Sequence, residues 1–478
     1  MTQTPLDPHG AVRDATPDRV TAQPFPKGFL WGAATSAYQI EGGIGADGRG
    51  PSVWDTFVRV PGRVEDGSTG AVAADHRHRF AQDVELMAWL GLRAYRFSVA
   101  WPRVQPTGRG PANAAGLDFY DRLVDTLCAN NIQPVVTLFH WDLPQDLQDS
   151  GGWALRDTAG RFADYAVLVF ERLRDRVQLW TTINEPRTHA FLGYAAGIHA
   201  PGVQSYRDAC ASVHHQLLGH GWAVAAMRSI DEREFGIALD PAPVTAAGDR
   251  PEDHDLARRI DGLVNRLYLD PLLLGRYPAD VRVDLAPFLD DTVVRDGDEA
   301  AIHAPLGFLG VNYYRPYRVA AGTPKPSPAP SLWPRAEHVR FVESDGPVTD
   351  NGWIVDAEGL CELLVAIDRD YPAPPLYVTE NGAAYNDDVV AGAVRDERRV
   401  RYLHEHLQAA QRALVVGVDL RGYFVWSLLD NFEWERGYTT RFGIVHVDFE
   451  TLERRPKASA WWYRDVIRAN ALPAADHG

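Results

Sequence analysis

The sequence predicts an α/β protein built as a single (β/α)₈ (TIM) barrel, with long loops on the carboxyl-terminal face, where barrel enzymes carry their catalytic groups. Eight short runs rich in β-branched and aromatic residues alternate with helical patterns along most of the 478 residues. This alternation indicates a parallel sheet, and closure is the common solution at eight strands. The alternative, a doubly wound open sheet, lacks its expected glycine fingerprint after the first strand, and no P-loop occurs.

Most strand candidates are near-continuous apolar runs rather than alternating ones, as expected for strands buried on both faces. In chain order they are Phe29–Ala37, Ala94–Val99, Gln133–His140, Leu179–Glu185, Phe235–Asp240, Gly307–Tyr314, Pro375–Asn381 and Leu420–Leu428.

Apolar residues recur at helical spacing between these strands. The clearest patterns are Phe80, Val84 and Met87 before the second strand, Phe162, Ala166, Val169, Phe170, Leu173 and Val177 before the fourth, and Asp396–Val416 before the eighth.

Residues 315–350 depart from this alternation, because they contain the proline-rich segment TPKPSPAPSLWPRAEH. Proline at this density forbids regular structure. We expect a long loop over the carboxyl-terminal face, which either shapes substrate access or is a surface insertion without a role.

Composition and charge exclude several classes of partner. Of the residues, 45% are hydrophobic and 23% charged, as in ordinary globular proteins. The net charge of −16 makes nucleic acids and anionic lipid surfaces poor partners. This charge does not affect the binding of a neutral small molecule such as a sugar.

We predict one barrel over residues 25–470, a flexible leader over 1–24 and a tail over 471–478.

The cysteines and the N-terminus predict a cytoplasmic protein without a metal site or cofactor. Cys128, Cys210 and Cys361 are too few and too scattered for a disulfide framework or a zinc site. The N-terminus carries Asp and Pro where a signal peptide needs basic residues and an apolar run. No stretch of about 18 apolar residues exists, so no membrane span is expected.

Residues suited to sugar recognition recur where the predicted strands end. Amides and acids can hydrogen-bond ring hydroxyls in pairs, and indoles offer a flat apolar face to a pyranose. In chain order these residues are Gln39, Arg96, His140, Trp141, Asn184, Glu185, Asn312, Tyr314, Glu380, Asn381, Trp426, Glu433 and Trp434.

Two glutamates among them can drive glycoside hydrolysis. The reaction needs one acid to protonate the leaving oxygen and one carboxylate to attack or to activate water at the anomeric carbon. Glu185 in TTINEP and Glu380 in YVTENG end the fourth and seventh strands. We expect them to face each other from opposite sides of the barrel mouth.

The blocks FLWGAATSAYQIEG, FHWDLP, TINEP, YVTENG and GYFVWSLLDNFEWERGY resemble the signature blocks of glycoside hydrolase family 1, the β-glucosidase family. The resemblance runs from about Phe25 to Ile467 and implies a retaining mechanism. It further implies that Glu380 is the nucleophile and Glu185 the acid/base, with their carboxyl groups about 5–5.5 Å apart.

The resemblance also implies roles for the surrounding residues. Arg96 and Tyr314 would hold Glu380 ionised, and the charge of Glu380 would keep Glu185 protonated. Asn184 would hydrogen-bond the sugar 2-hydroxyl. The implied substrate-binding set is Gln39, His140, Trp141, Asn184, Asn312, Tyr314, Trp426, Glu433 and Trp434.

Two positions refine the expected specificity. An ionised Glu433 would welcome neutral sugars and repel a 6-phosphosugar. Arg187 stands where the family usually has a tryptophan that walls the aglycone side, so leaving-group preference is left open, and Trp333 could supply a substitute wall.

Each of these residues also has a structural interpretation. His140 alone would be a core histidine, and Trp31, Trp54 and Trp101 are expected to pack in the core or rim. At the level of function, the sequence predicts an exo-acting β-glucosidase, with β-galactosyl or β-fucosyl residues as other glycones. A transglycosylase and a non-catalytic sugar-binding barrel remain alternatives, and the oligomeric state is left open.

Overall fold

The structure, a computed structural model, describes residues 24–343 and 346–473. Eight parallel strands form a closed barrel in which each strand neighbours the next along the chain and the last pairs with the first. The strands are β1 Leu30–Ala34, β2 Ala94–Ser98, β3 Gln133–Phe139, β4 Leu179–Asn184, β5 Glu234–Leu239, β6 Phe308–Asn312, β7 Leu376–Asn381 and β8 Leu420–Trp426. The predicted fold is confirmed.

One long helix follows each strand of the barrel. These helices are α1 His76–Leu90, α2 Ala114–Ala129, α3 Asp157–Leu173, α4 Tyr206–Arg228, α5 Pro251–Asp261, α6 Ala357–Asp370, α7 Glu397–Val415 and α8 Ala458–Ala469. Shorter helical segments are Ala37–Ile40, Ala46–Gly48, Val53–Phe57, Trp101–Val104, Gln145–Asp149, Gly152–Ala154, Pro186–Ala190, Phe191–Ala195, Gly262–Arg266, Leu267–Leu273, Ala279–Asp284, Asp298–Ile302 and Trp434–Arg436.

The apolar strands are buried on both faces, as their composition predicts. A large cluster packs the strands against the helices, and a smaller one joins residues from strands all around the barrel. Because this smaller cluster spans strands on every side, it must fill the barrel interior. Its strand members are Leu30, Ala34, Ala94, Val135, Leu179, Phe308, Tyr377, Phe424 and Trp426.

Two predicted elements need correction. The first strand ends at Ala34, and Ala37 begins a short helix that carries Gln39. The segment 315–350 is not without regular structure, because Tyr317–Ala321 and Val339–Phe341 form a three-stranded sheet with Val244–Ala246. The prolines of TPKPSPAPSLWPRAEH lie between the two strands of this segment, where no ladder hydrogen bond is required of them.

Two further small sheets lie outside the barrel, Val389–Val390 with Ala393–Val394 and Val445–Val447 with Arg454–Pro456.

The two residues at the predicted bounds of the barrel are joined by hydrogen bonds: Phe25 N–H donates to Asn470 O at 2.9 Å, and Asn470 Nδ2 donates to Phe25 O at 2.7 Å. The predicted leader and tail fall largely outside the described residues, so these boundaries stay predictions. Among the described helices, none has the length together with the apolar composition that crossing a bilayer demands.

Candidate active site

A cavity of about 360 Å³ opens at the carboxyl-terminal end of the barrel and contains both candidate glutamates. Its wall takes residues that end or directly follow strands β3 to β8, which places it on the face where barrel enzymes react their substrates. These residues are His140, Glu185, Asp240, Asn312, Glu380 and Trp426.

Most of the predicted site residues line this cavity, and the others stand directly behind its wall. Gln39, Arg96 and Asn184 are buried and bond to residues of the lining rather than forming it. Arg96 lies in the middle of β2, not at its end as predicted. The predicted residues in the lining are His140, Trp141, Glu185, Asn312, Tyr314, Glu380, Trp426, Glu433 and Trp434.

Both oxygens of Glu380 accept a hydrogen bond. Arg96 Nη1 donates to Oε1 at 2.6 Å, and the Tyr314 hydroxyl donates to Oε2 at 2.7 Å. Burial nevertheless raises the pKa of Glu380 above its ordinary value, since the guanidinium and the hydroxyl offset only part of the cost of desolvation. Arg96 and Tyr314 each act on this pKa in the expected direction, and the opposing effect of burial is larger.

Glu185 has a different environment from Glu380. Its Oε1 accepts from Asn312 Nδ2 at 2.7 Å. Burial first, then the negative charges of Asp240 and Glu380, raise the pKa of Glu185 well above its ordinary value. The direction agrees with the expectation, but burial and Asp240 contribute more than Glu380 does. Because only Glu380 has a bound cation, we infer that Glu380 ionises first and Glu185 holds the proton.

A chain of buried side chains connects the two glutamates. Arg96 Nη2 donates to Asn184 Oδ1 at 2.5 Å, and Asn312 Nδ2 donates to the same oxygen at 3.1 Å. Asn312 thus bonds Asn184 and Glu185 together. Around the barrel, β4 and β7 are separated by β5 and β6 in one direction and by four strands in the other. The two glutamates are therefore not diametrically opposed, which differs from the expectation.

The backbone is irregular where it aims these side chains. The strand pairing shifts register between Val378 and Glu380 on β7, and again just before Asn184 on β4. Such irregularities re-aim side chains at functional sites. Trp141, Glu185 and Trp434 have φ values of 76°, 44° and 49°, a left-handed region that costs a non-glycine residue roughly 1–3 kcal/mol.

One end of the cavity is lined by Glu433 and Trp434. Gln39 Nε2 donates to Glu433 Oε2 at 3.2 Å, and Trp434 packs against Trp54 and Trp141 at 4.6 and 4.7 Å between ring centroids. Burial and the charges of Glu435 and Glu380 raise the pKa of Glu433 well above its ordinary value. Its repulsion of a phosphate is therefore weaker than an ionised carboxylate would provide.

His140 is presented to this end as a neutral ring. Its pKa is well below the ordinary value because of burial and the nearby Arg96 cation. Asn184 Nδ2, which can only donate, lies 3.2 Å from His140 Nε2, so Nδ1 carries the proton. Nδ1 is buried and bonds to no group of residues 24–343 or 346–473. His140 also stacks on Trp426 and Trp434, at 5.8 and 6.0 Å.

The other end of the cavity begins at Glu185 and is built around Arg187. Its Nη2 donates to a carboxylate oxygen of Asp240, and Thr188 Oγ1 donates to the same oxygen at 2.7 Å. The Arg187 guanidinium also lies 6.0 Å from the centre of the Tyr317 ring. Trp333, expected as a substitute wall, lines the cavity with Leu332.

Sequence reasoning missed several residues of the lining. Asp240 ends the fifth predicted strand, so the rule that identified the other strand-end residues could have found it. Buried His199 pairs with the partly exposed Glu435, with 2.6 Å between Nε2 and Oε2, and nothing local marks His199. The remaining missed residues include Leu192, Ile198, Pro241, Ala242, Arg315, Tyr317, Trp353 and Phe442.

Comparison with known proteins identifies the family to which the chain belongs. The chain matches the model of Glycosyl hydrolase family 1 over residues 21–472. It is 50% identical to thermostable beta-glucosidase B of Thermobispora bispora, covering 97% of this chain and 94% of that protein. It is 44% identical to a bifunctional beta-D-glucosidase/beta-D-fucosidase of Bifidobacterium breve, covering 93% and 98%.

A solved structure extends the agreement to the fold. The psychrophilic beta-glucosidase of Micrococcus antarcticus superposes with a TM-score of 0.91 at 49% identity, covering 94% of this chain and 98% of that one. The family match therefore spans the barrel strands and the residues of the cavity. The chain belongs to glycosyl hydrolase family 1.

Proposed function

We propose that this protein is a retaining, exo-acting β-glycosidase, foremost a β-glucosidase, that hydrolyses terminal non-reducing β-D-glucosyl residues by double displacement. The observation that carries the proposal is the pair of buried glutamates in one cavity, one bound to a cation and the other to an amide beside negative charge. The names of the relatives support glucose as glycone and fucose as a further one.

In this mechanism the two carboxyl groups exchange roles during each cycle. Glu380 attacks the anomeric carbon while Glu185 protonates the leaving oxygen, and a covalent glycosyl-enzyme forms. The charge of Glu380 is then lost, which removes one of the causes that raise the pKa of Glu185. Glu185 can now accept a proton from water, which releases the sugar with its β configuration retained.

The glycone is proposed to bind at the end of the cavity lined by His140, Glu433 and Trp434, with Gln39 bonded to Glu433 directly behind the wall. His140 Nδ1–H can donate to a hydroxyl, and Glu433 can accept from one. Asn184 uses one of its two amide hydrogens on His140, so the other remains for the 2-hydroxyl. Trp141, Trp426, Asn312 and Tyr314 complete the proposed set.

Hydrolysis of nitrophenyl glycosides tests the proposal. We expect turnover of the β-glucoside, with the β-galactoside and β-fucoside measured beside it and the α-glucoside as negative control. NMR of the first-formed sugar should show the β anomer. Absence of turnover with every β-glycoside, or a first-formed α anomer, would contradict the proposal. No observation favours the transglycosylase or the non-catalytic barrel, and the cytoplasmic location stays a prediction.

Tyr314→Phe is expected to raise the pKa of Glu380 further, because it removes the 2.7 Å hydrogen bond that stabilises the ionised form. The acid limb of the pH profile of kcat/KM should therefore move to higher pH. At the optimum, kcat/KM should fall by about tenfold, the value of one hydrogen bond to a charged group. An acid limb at the wild-type position would contradict the proposed contact.

Asp240→Asn is expected to have the opposite effect on the alkaline limb. The negative charge of Asp240 favours the protonated form of Glu185, so its removal should lower the pKa of Glu185. Arg187, left without its partner, would act in the same direction. The alkaline limb of kcat/KM should move to lower pH. Asp253→Asn is the control, because Asp253 on α5 pairs with Arg250, the residue before that helix, outside the cavity, and its profile should match the wild type.

A further inference from the structure

The two arginines beyond Glu185 differ in what neutralises them. Arg187 is paired with the Asp240 carboxylate. Arg315 also lines the cavity, yet no carboxylate of the described residues lies within 4.0 Å of its guanidinium nitrogens. Glu185 must reach the leaving oxygen, which joins the glycone to the aglycone. Groups that lie beyond Glu185, away from Glu433 at the glycone end, therefore face the aglycone. Arg315 is therefore a cation of the aglycone end.

Two aromatic rings hold Arg315 in place. Its guanidinium carbon lies 5.2 Å from the centre of the Tyr317 ring and 5.0 Å from that of Trp353. The Trp353 ring packs in turn on Tyr314, at 5.3 Å between centroids. The Arg315 guanidinium also hydrogen-bonds the Tyr317 side chain. A guanidinium has five N–H donors, so others remain to donate to a ligand. The residue is half-buried, so the edge can be reached from the cavity.

The acids of the cavity do not cancel this charge. Arg96 neutralises Glu380, Arg187 neutralises Asp240, and His199 lies against Glu435. Burial raises the pKa values of Glu185 and Glu433 well above the ordinary range, which reduces their negative charge. The net charge of −16 on the whole chain acts mostly from beyond the Debye length, about 8 Å at physiological ionic strength.

We propose that the aglycone end selects β-glycosides whose aglycone is an aromatic ring carrying a carboxylate, with Arg315 binding the carboxylate. The planar fork of a guanidinium matches a carboxylate in geometry and charge. Trp333 and Leu332 supply apolar surface for the ring in the same part of the wall. This inference rests on the proposed function, because it names the substrate class of that same site.

Paired substrates test the proposal at pH 7. The β-glucosides of 4-hydroxybenzoic and 3-hydroxybenzoic acid are each compared with the β-glucoside of the corresponding methyl ester, which lacks the charge. The readout is the ratio of kcat/KM for acid over ester. The acid and the ester differ in leaving-group acidity, and this difference affects their ratio equally in wild type and variant. It therefore cancels when the ratio of the variant is compared with the ratio of the wild type.

Arg315→Met should lower this ratio by about tenfold for at least one of the two isomers, the value of one charge-assisted contact. Arg315→Lys should restore part of it, since lysine keeps the charge without the fork. Arg318→Met is the matched control: Arg318 is exposed on the strand Tyr317–Ala321 that follows Arg315, outside the cavity, and its ratio should equal that of the wild type. A ratio unchanged in Arg315→Met, including an equal loss on acid and ester, overturns the proposal.

A second measurement does not depend on the variants. Free 4-hydroxybenzoate should inhibit wild-type hydrolysis of a nitrophenyl β-glucoside more strongly than its methyl ester, by about tenfold in inhibition constant. Equal inhibition by the two overturns the proposal. If the wild type hydrolyses neither the acid, the ester nor any other β-glycoside, the proposed function itself fails, which separates that failure from a failure of this inference.

Discussion

Glu380→Gly is expected to lower kcat/KM for aryl β-glucosides by on the order of 10⁵-fold, because it removes the group that forms the covalent intermediate. The substitution also leaves Arg96 without its 2.6 Å partner and Tyr314 without its acceptor. Substrate should still bind, since the glycone set is untouched. Steady-state kinetics with a nitrophenyl β-glucoside measure the loss.

Added azide or formate should restore part of the turnover in Glu380→Gly. A small anion can occupy the space of the missing carboxylate beside Arg96 and attack the anomeric carbon in one displacement. Azide should then yield the α-glycosyl azide, because a single displacement inverts configuration. Glu450→Ala, at an exposed turn, is the control and should keep wild-type activity without a response to azide. Wild-type activity in Glu380→Gly, or a β-configured azide, would refute the role of Glu380.

The second large effect is expected for Glu185→Ala, and it should depend on the leaving group. Substrates with poor leaving groups should lose about 10²- to 10⁴-fold in the rate of glycosyl-enzyme formation, which is the usual contribution of general acid catalysis. An activated phenol such as dinitrophenol needs no proton and should lose far less in this step. A series of aryl β-glucosides of graded leaving-group acidity measures the dependence.

The pH profile gives an independent reading of the same variant. The alkaline limb of wild-type kcat/KM should lie well above the ordinary range of a glutamate, because burial and Asp240 favour the protonated form of Glu185. This limb should disappear in Glu185→Ala, while the acid limb that reports Glu380 stays. Glu185→Gln keeps the shape of the side chain but has no acidic proton, so its alkaline limb should disappear as well. Equal losses for good and poor leaving groups would exclude Glu185 as the acid.

Much of the architecture could be predicted from local pattern. The apolar runs and their spacing predicted eight strands, and the observed starts at Ala94, Gln133, Leu179 and Leu420 coincide with the predicted ones. This succeeds because a strand buried on both faces must be apolar along its whole length, whatever its neighbours are. The first strand was predicted too long, since apolar Ala37 belongs to the short helix that carries Gln39.

The chemistry of the candidate glutamates could be predicted from their type and their blocks, but their environments could not. Arg96 and Glu380 are 284 residues apart, and Arg187 and Asp240 are 53 apart. No local pattern relates such residues, because strand pairing brings Arg187 to Asp240 and closure of the barrel brings Arg96 to Glu380. For the same reason the net shift in the pKa of Glu380 could not be predicted: Arg96 and Tyr314 were identified and act in the expected direction, but the depth of burial was not known.

Local sequence pattern predicts the fold class, the position of the site on that fold and the residue types available for the reaction. These depend on periodicity and on which residues end each strand, and both are properties of neighbouring positions in the chain. Only the folded arrangement shows which charges are paired, supports the inference about which carboxyl holds the proton, and leaves Arg315 in the cavity wall without a counter-charge among the described residues. The physical reason is that charge interactions and desolvation depend on distance and on exclusion of water, which only the folded chain establishes.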